Sequence, residues 1–166
     1  MLPTVKRPTA DVEIVTDYAT LAESRAVAKR IEQVESADMK TMTESEASAN
    51  RQTVLDLRDT LDHLIRKTDE TTLVLTLTGM TASKWEQIVQ TYTSMQEGKP
   101  VQDTVTIIIT AIPAMLTKAK LKGANESLDC SPQDVRELLE QLPDTAIVAL
   151  LPQVQALNAP MFKLPK

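Results

Sequence analysis

The chain has 166 residues, of which 42% are hydrophobic and only 2% aromatic. It can hold one domain, or a small domain plus an extended helical element, with a core built from Leu, Ile, Val, Ala and Met. A formal charge of -5 and a pI near 5.0 argue against a general phosphate-binding surface. One cysteine, Cys130, leaves no internal disulfide, and one histidine, His63, argues against a histidine-built metal site.

No apolar run reaches the roughly 18–20 residues that span a bilayer. The opening Met-Leu-Pro-Thr-Val-Lys-Arg-Pro lacks the apolar stretch of a secretory signal. The expectation is a soluble intracellular protein. Val12–Val15 reads as a brief strand. From Asp17 to Glu35 the pattern turns helical, with Tyr18, Leu21, Ala28, Ile31 and Val34 as a weak stripe. Ser36–Gln52, rich in Ser, Thr, Glu, Ala and Asn, has little to bury and reads mostly as the loop of a helical hairpin, or as frayed helix ends. Its return helix, Arg51–Lys67, sets Val54, Leu57, Leu61 and Leu64 at the a/d spacing of a coiled coil. Arg58/Asp62 and Asp62/Arg66 are supporting i,i+4 pairs.

Leu73–Thr78 alternates with period two, a second strand placed to pair antiparallel with the first at the base of the hairpin. Gly79 permits a turn, and Thr81, or Ser83 with Glu86, caps a helix presenting Trp85, Ile88, Val89 and Tyr92 on one face. Gly98-Lys99-Pro100 ends it. Asp103 caps a helix expected to run to about Lys122, with Ile107, Ile108, Ile109, Ala111, Ile112, Met115 and Leu116 as its apolar body. Pro113 bends it, and Lys118, Lys120 and Lys122 sit where cations suit the helix dipole. Ser131-Pro132-Gln133-Asp134 is a strong helix start. Pro143-Asp144 opens a last helix striped by Ile147, Leu150, Leu151, Val154 and Leu157 and closed by Asn158.

These elements predict a mainly α fold. A coiled-coil-like N-terminal hairpin with two short flanking strands (1–78) precedes a small C-terminal helical bundle (79–160) and a flexible tail (161–166). No catalytic, metal or cofactor site is predicted, and no enzyme activity. His63 lies on a solvated helix surface without a partner nucleophile. Cys130 precedes a helix start, where a thiol pKa can fall, but no Cys/His arrangement accompanies it. Asp56, Asp59 and Asp62 are interleaved with Arg58 and Arg66 and read as a solvated flank. Three glycines make no phosphate cradle. The candidate partner-binding residues are Trp85, Ile88 and Tyr92 on one helix and Leu57, Leu61 and Leu64 on the other. Trp85 is equally placed to nucleate the core.

The run Thr72–Tyr92, strand, turn and tryptophan helix, resembles the central block of the tail assembly chaperones of long-tailed, siphovirus-type bacteriophages. Asp103-Thr104, Ser131-Pro132-Gln133-Asp134 and the closing Asn158 stand where that family has matching features. The turn Gly79–Lys84 departs from the family's proline- and arginine-rich pattern, and Thr93-Ser94 replaces a proline pair. The resemblance implies a host-cytoplasmic chaperone, absent from the mature virion. Such a protein binds the tape measure protein, keeps it soluble and helps recruit tail tube protein, with self-association a further option. Neither nucleic acid nor membrane is an expected partner. The alternative is a small structural or scaffolding subunit of the virion.

Overall fold

In the computed structural model, which describes residues 1–37 and 39–159, the chain begins with β1 (Thr9–Ile14), α1 (Tyr18–Glu35), α2 (Glu44–Thr71) and β2 (Leu73–Thr78). It continues through α3 (Ala82–Thr91), β3 (Thr93–Gln96), β4 (Lys99–Gln102), α4 (Thr104–Met115) and β5 (Leu116–Leu121). It ends with α5 (Pro132–Glu140), α6 (Asp144–Val148) and α7 (Leu151–Asn158). Strand β2 is the middle of a three-stranded sheet ordered β1-β2-β5, and β3 with β4 forms a separate two-stranded ribbon. Leu73, Leu75 and Leu77 are buried on one face of β2, while on the other Val74 is buried and Thr76 and Thr78 are only half-buried. The Gly79 N–H donates to the Pro8 carbonyl at 2.9 Å, and Thr76 Oγ1 donates to Asp11 Oδ1 at 2.7 Å. Those bonds suit an antiparallel pairing of β1 with β2.

The mainly α expectation is overturned. The described residues are 59% helix and 17% strand, an α/β mix with two small antiparallel sheets rather than a hairpin followed by a helical bundle. Two segments make the difference. The helix capped by Asp103 stops at Met115, and Leu-Thr-Lys-Ala-Lys-Leu continues as β5. In it Lys118 and Lys120 are exposed and Ala119 between them is buried; the lysines follow the period of a strand, not the charge of a helix end. The stretch after Tyr92 is not a bare helix terminus. Glu97 and Gly98, with φ of 50° and 76°, form the two-residue turn of the β3–β4 ribbon, and two positive φ values match the strand twist.

Smaller shifts have equally local causes. Helix α2 starts at Glu44, well before Arg51, because Thr43 and Glu46 form a reciprocal capping box. The predicted last helix is two, α6 and α7, since the Pro152 ring cannot follow the carbonyl of the preceding turn in a continuous helix. The tail 161–166 lies outside the described residues.

The chain divides into two compact units. The first, the body, takes Met1–Ile14, Val74–Lys120 and the chain from Glu126 onward. Its core gathers Val12, Leu75 and Leu77 from the sheet, Ile107, Ile108, Ala111 and Ile112 from α4, Val135 and Leu139 from α5, and Ile147 and Val154 from α6 and α7. Each fully buried Val, Leu or Ile contributes about 1.5–3 kcal/mol relative to exposure. The C-terminal end of α7 locks onto the turn after β2. A Cβ on Gly79 would lie 2.3 Å from the Leu157 carbonyl oxygen, so only glycine fits there. Beside it the buried Asn158 accepts from the Met80 N–H at 2.7 Å. Its amide donates to the Val154 carbonyl at 3.0 Å and reaches Met115 Sδ at 3.3 Å.

The second unit, Val15–Leu73 with Leu121–Asn125, is built on the α1–α2 hairpin. Asp17 caps α1, accepting from Thr20 N–H at 3.0 Å. Thr20, Ser24, Val27, Ile31 and Val34 on α1 face the seam, as do Val54, Leu57, Leu61, Leu64 and Thr68 on α2; all are buried or half-buried. Both rows step alternately by three and four, the coiled-coil pattern. Three of the buried seam residues are polar. Thr20 bonds Asp17, Ser24 bonds the Leu21 carbonyl and Thr68 bonds the Leu64 carbonyl, so none is left unpaired.

Candidate functional site

The hairpin leaves a groove of about 380 Å³ between its helices, lined by Val34, Asn50, Arg51, Val54 and Leu55 and bridged by the Arg58–Glu35 ion pair. Arg58 thus reaches across to α1, beyond the Asp62 on its own helix. Leu55 is 55% exposed. Three of the predicted contact residues, Leu57, Leu61 and Leu64, are turned into the seam and serve the hairpin itself, Leu64 fully buried. What remains available along α2 is Leu55, and Ile65 at 45% exposure. The sequence placed the coiled-coil row but not this groove, which depends on how α1 sits against α2.

In the body, α3 rests on α4 with Trp85, Ile88, Val89 and Tyr92 all half-buried and no residue of the helix fully buried. Trp85 is thus largely covered, with part of its indole left at the surface. Its indole, Ile88 and Tyr92 form a half-covered aromatic and aliphatic face, the composition that anchors protein contacts. The predicted trio is brought together on one helix face. It belongs to a different unit from Leu57, Leu61 and Leu64.

The ionisable groups do structural work. The side-chain hydrogen bond from Thr20 holds the Asp17 carboxyl below its ordinary range, and the one from Thr106 does the same for Asp103. Backbone bonds from Thr43 and Ser131 lower Glu46 and Asp134. All four stand at helix N-termini as caps. Cys130 behaves oppositely: burial pushes its thiol up, and the charges of Asp134 and Asp129 add to it. Burial first, and the two carboxylates after it, disfavour the thiolate that a nucleophilic cysteine needs. His63, Asp56, Asp59 and Asp62 are exposed along α2. Among the described residues no three His, Cys, Asp or Glu groups gather in a way that would hold a metal ion. No helix among them is long and apolar enough to cross a membrane.

No protein-family model matches the chain, no curated protein matches it in sequence, and no solved structure matches it in fold.

Proposed function

We propose that this protein is a tail assembly chaperone of the long-tailed bacteriophage type. It holds the apolar helices of a tape measure protein in solution and helps bring tail tube subunits to them. The observation that carries the reading is the open groove of the hairpin, with Val34, Val54 and Leu55 as its apolar floor and an ion pair across it. Such a groove suits an amphipathic helix laid along it. The exposed part of a long helical partner would otherwise aggregate, and an acidic coat of many copies lends it charge and multivalent grip. The strand-turn-tryptophan block and the closing Asn158 add the sequence resemblance. The half-buried face of Trp85, Ile88 and Tyr92 supplies a second apolar contact of the same kind.

Co-expression with the tape measure protein of the same phage tests this directly. The expected result is a shift of that protein into the soluble fraction, retained at high salt because apolar burial survives screening. Leu55→Asp should abolish the shift while leaving the hairpin folded, since Leu55 is largely exposed. A tape measure protein that stays insoluble at every ratio sinks the proposal. The outward Leu55 and Ile65 favour one alternative, a structural or scaffolding subunit whose hairpins associate with one another. Purified particles separate the two: a subunit is present in fixed copy number, a chaperone absent.

A further inference from the structure

The β3–β4 ribbon belongs to neither apolar surface above, and its ladder has a definite phase. The register pairs Thr93 with Gln102, Ser94 with Val101, Met95 with Pro100 and Gln96 with Lys99. The Asp103 N–H donates to the Tyr92 carbonyl at 2.8 Å just beyond it. Hydrogen-bonded and non-bonded pairs alternate in an antiparallel ladder. The bonded pairs are therefore Tyr92–Asp103, Ser94–Val101 and Gln96–Lys99. The main-chain groups of Thr93 and Met95 on β3, and of Pro100 and Gln102 on β4, turn outward.

The two outer edges are thus unequal. On β4 the outward position holds Pro100, which has no N–H, next to the charged Lys99; both features blunt an edge. On β3 the outward positions keep their donors and acceptors. The strand Thr-Ser-Met-Gln carries no charge, and Ser94, Met95 and Gln96 are exposed, Met95 at 68%. No other strand pairs with it among the described residues. An uncharged strand of this kind meets its own copy without like-charge opposition, whereas on β4 Pro100 withholds one of the donors that the same pairing would need.

We propose that β3 is a self-association edge. It pairs antiparallel with β3 of a second copy about a two-fold axis through Ser94, giving a four-stranded sheet β4-β3-β3-β4. Thr93 of each copy then exchanges hydrogen bonds with Met95 of the other, and the methionines meet diagonally between the prolines of the outer strands. The contact is small, so the dimer is weak and concentration-dependent. Its uncharged character makes it indifferent to salt. The inference stands independently of the proposed chaperone role, because it rests on the ribbon alone.

Sedimentation of the full chain from about 10 µM to about 1 mM tests it, a range that brackets weak association. The expected result is a rise from monomer to dimer, unchanged by salt, with the Met95 amide gaining protection from hydrogen exchange as the dimer forms. In a Cys130→Ser background, Ser94→Cys should cross-link under mild oxidation far faster than Gln90→Cys, an exposed site on α3, because facing non-bonded positions lie within disulfide reach. Met95→Pro removes the outward donor without touching the ribbon's own bonds and should abolish the dimer and the cross-link. Met95→Lys keeps the N–H, sets two like charges on the diagonal and should do the same, which decides the matter if the proline variant misfolds. A chain that stays monomeric throughout, with Ser94→Cys no faster than Gln90→Cys, overturns the proposal. A dimer that survives a folded Met95 variant overturns it equally, since the contact then lies elsewhere.

Discussion

The body and the hairpin are stabilised by different means. The body closes over isoleucine, leucine and valine side chains that are almost wholly removed from water, with α4 alone contributing Ile107, Ile108 and Ile112. The hairpin seam mixes Ile31 and Leu64 with Thr20, Ser24 and Thr68, and leaves Val27, Val34, Val54, Leu57 and Leu61 only half-covered. Area removed from water is the main stabilising term, so residue for residue the hairpin is the weaker unit. It compensates at its ends, with the Asp17 cap on α1 and the Thr43–Glu46 box on α2. A unit held by caps and a partly polar seam opens locally at modest cost.

Truncating one isoleucine in each unit should show the largest difference between them. Ile108→Ala, at a fully buried position, should cost about 2–5 kcal/mol. Ile31→Ala should cost clearly less, because its surroundings are partly open. Denaturant unfolding followed by fluorescence of Trp85, which lies in the body, and by far-UV circular dichroism, to which the helices of both units contribute, separates the two: a signal change seen by dichroism alone belongs to the hairpin. Equal costs would erase the distinction.

Gly79→Ala comes next. The added methyl meets the Leu157 carbonyl oxygen and displaces α7, so a cost of about 1–3 kcal/mol is expected, read by the tryptophan signal alone. A neutral result would mean that α7 moves freely against the turn.

In the hairpin, Thr43→Ala removes the cap of α2 and should cost about 1 kcal/mol. Amide exchange should show fraying confined to the first turns of that helix. Loss of the whole hairpin would show that α2 depends on its cap along its full length. Thr68→Val fills the same buried volume with an apolar group, and the Leu64 carbonyl keeps its helical partner. It should leave stability unchanged or raise it by up to about 1 kcal/mol. A clear loss would mean that the polar seam is itself a source of stability.

Acid produces the smallest effect. Asp17, Glu46, Asp103 and Asp134 have pKa values lowered in the folded chain. The unfolded chain therefore takes up their protons first. Their contribution is complete above the ordinary carboxylate range and drains away as pH falls through the folded values, below about pH 4. Both units carry such caps, so a pH titration of helix content should show a shared, shallow decline there. A steep transition in one unit above that range would point to a different titrating group.

Much of the fold was legible where a local signal sufficed. Thr81, Asp103 and Ser131 cap the helices expected of them, and Leu73–Thr78 is a strand. The start of α2 was obscured because Glu44–Asn50 offers few apolar side chains, although Thr43 and Glu46 already stood at capping-box spacing. Strand β5 was obscured because its lysines suit a helix end as well as an alternating edge. For the site, the Trp85, Ile88 and Tyr92 face follows from helical period alone. The groove at Val34 and Leu55 does not, since it arises from the register between two helices.

The hairpin leaves the body at the end of β1 and re-enters at the start of β2, two neighbouring strands of one sheet. Its length is therefore a free variable. A heptad added to or removed from each of α1 and α2 preserves the seam and returns the chain to the same place, and loop-closure entropy changes only slowly with the added length. Hairpin length can therefore vary while every residue of the body stays the same.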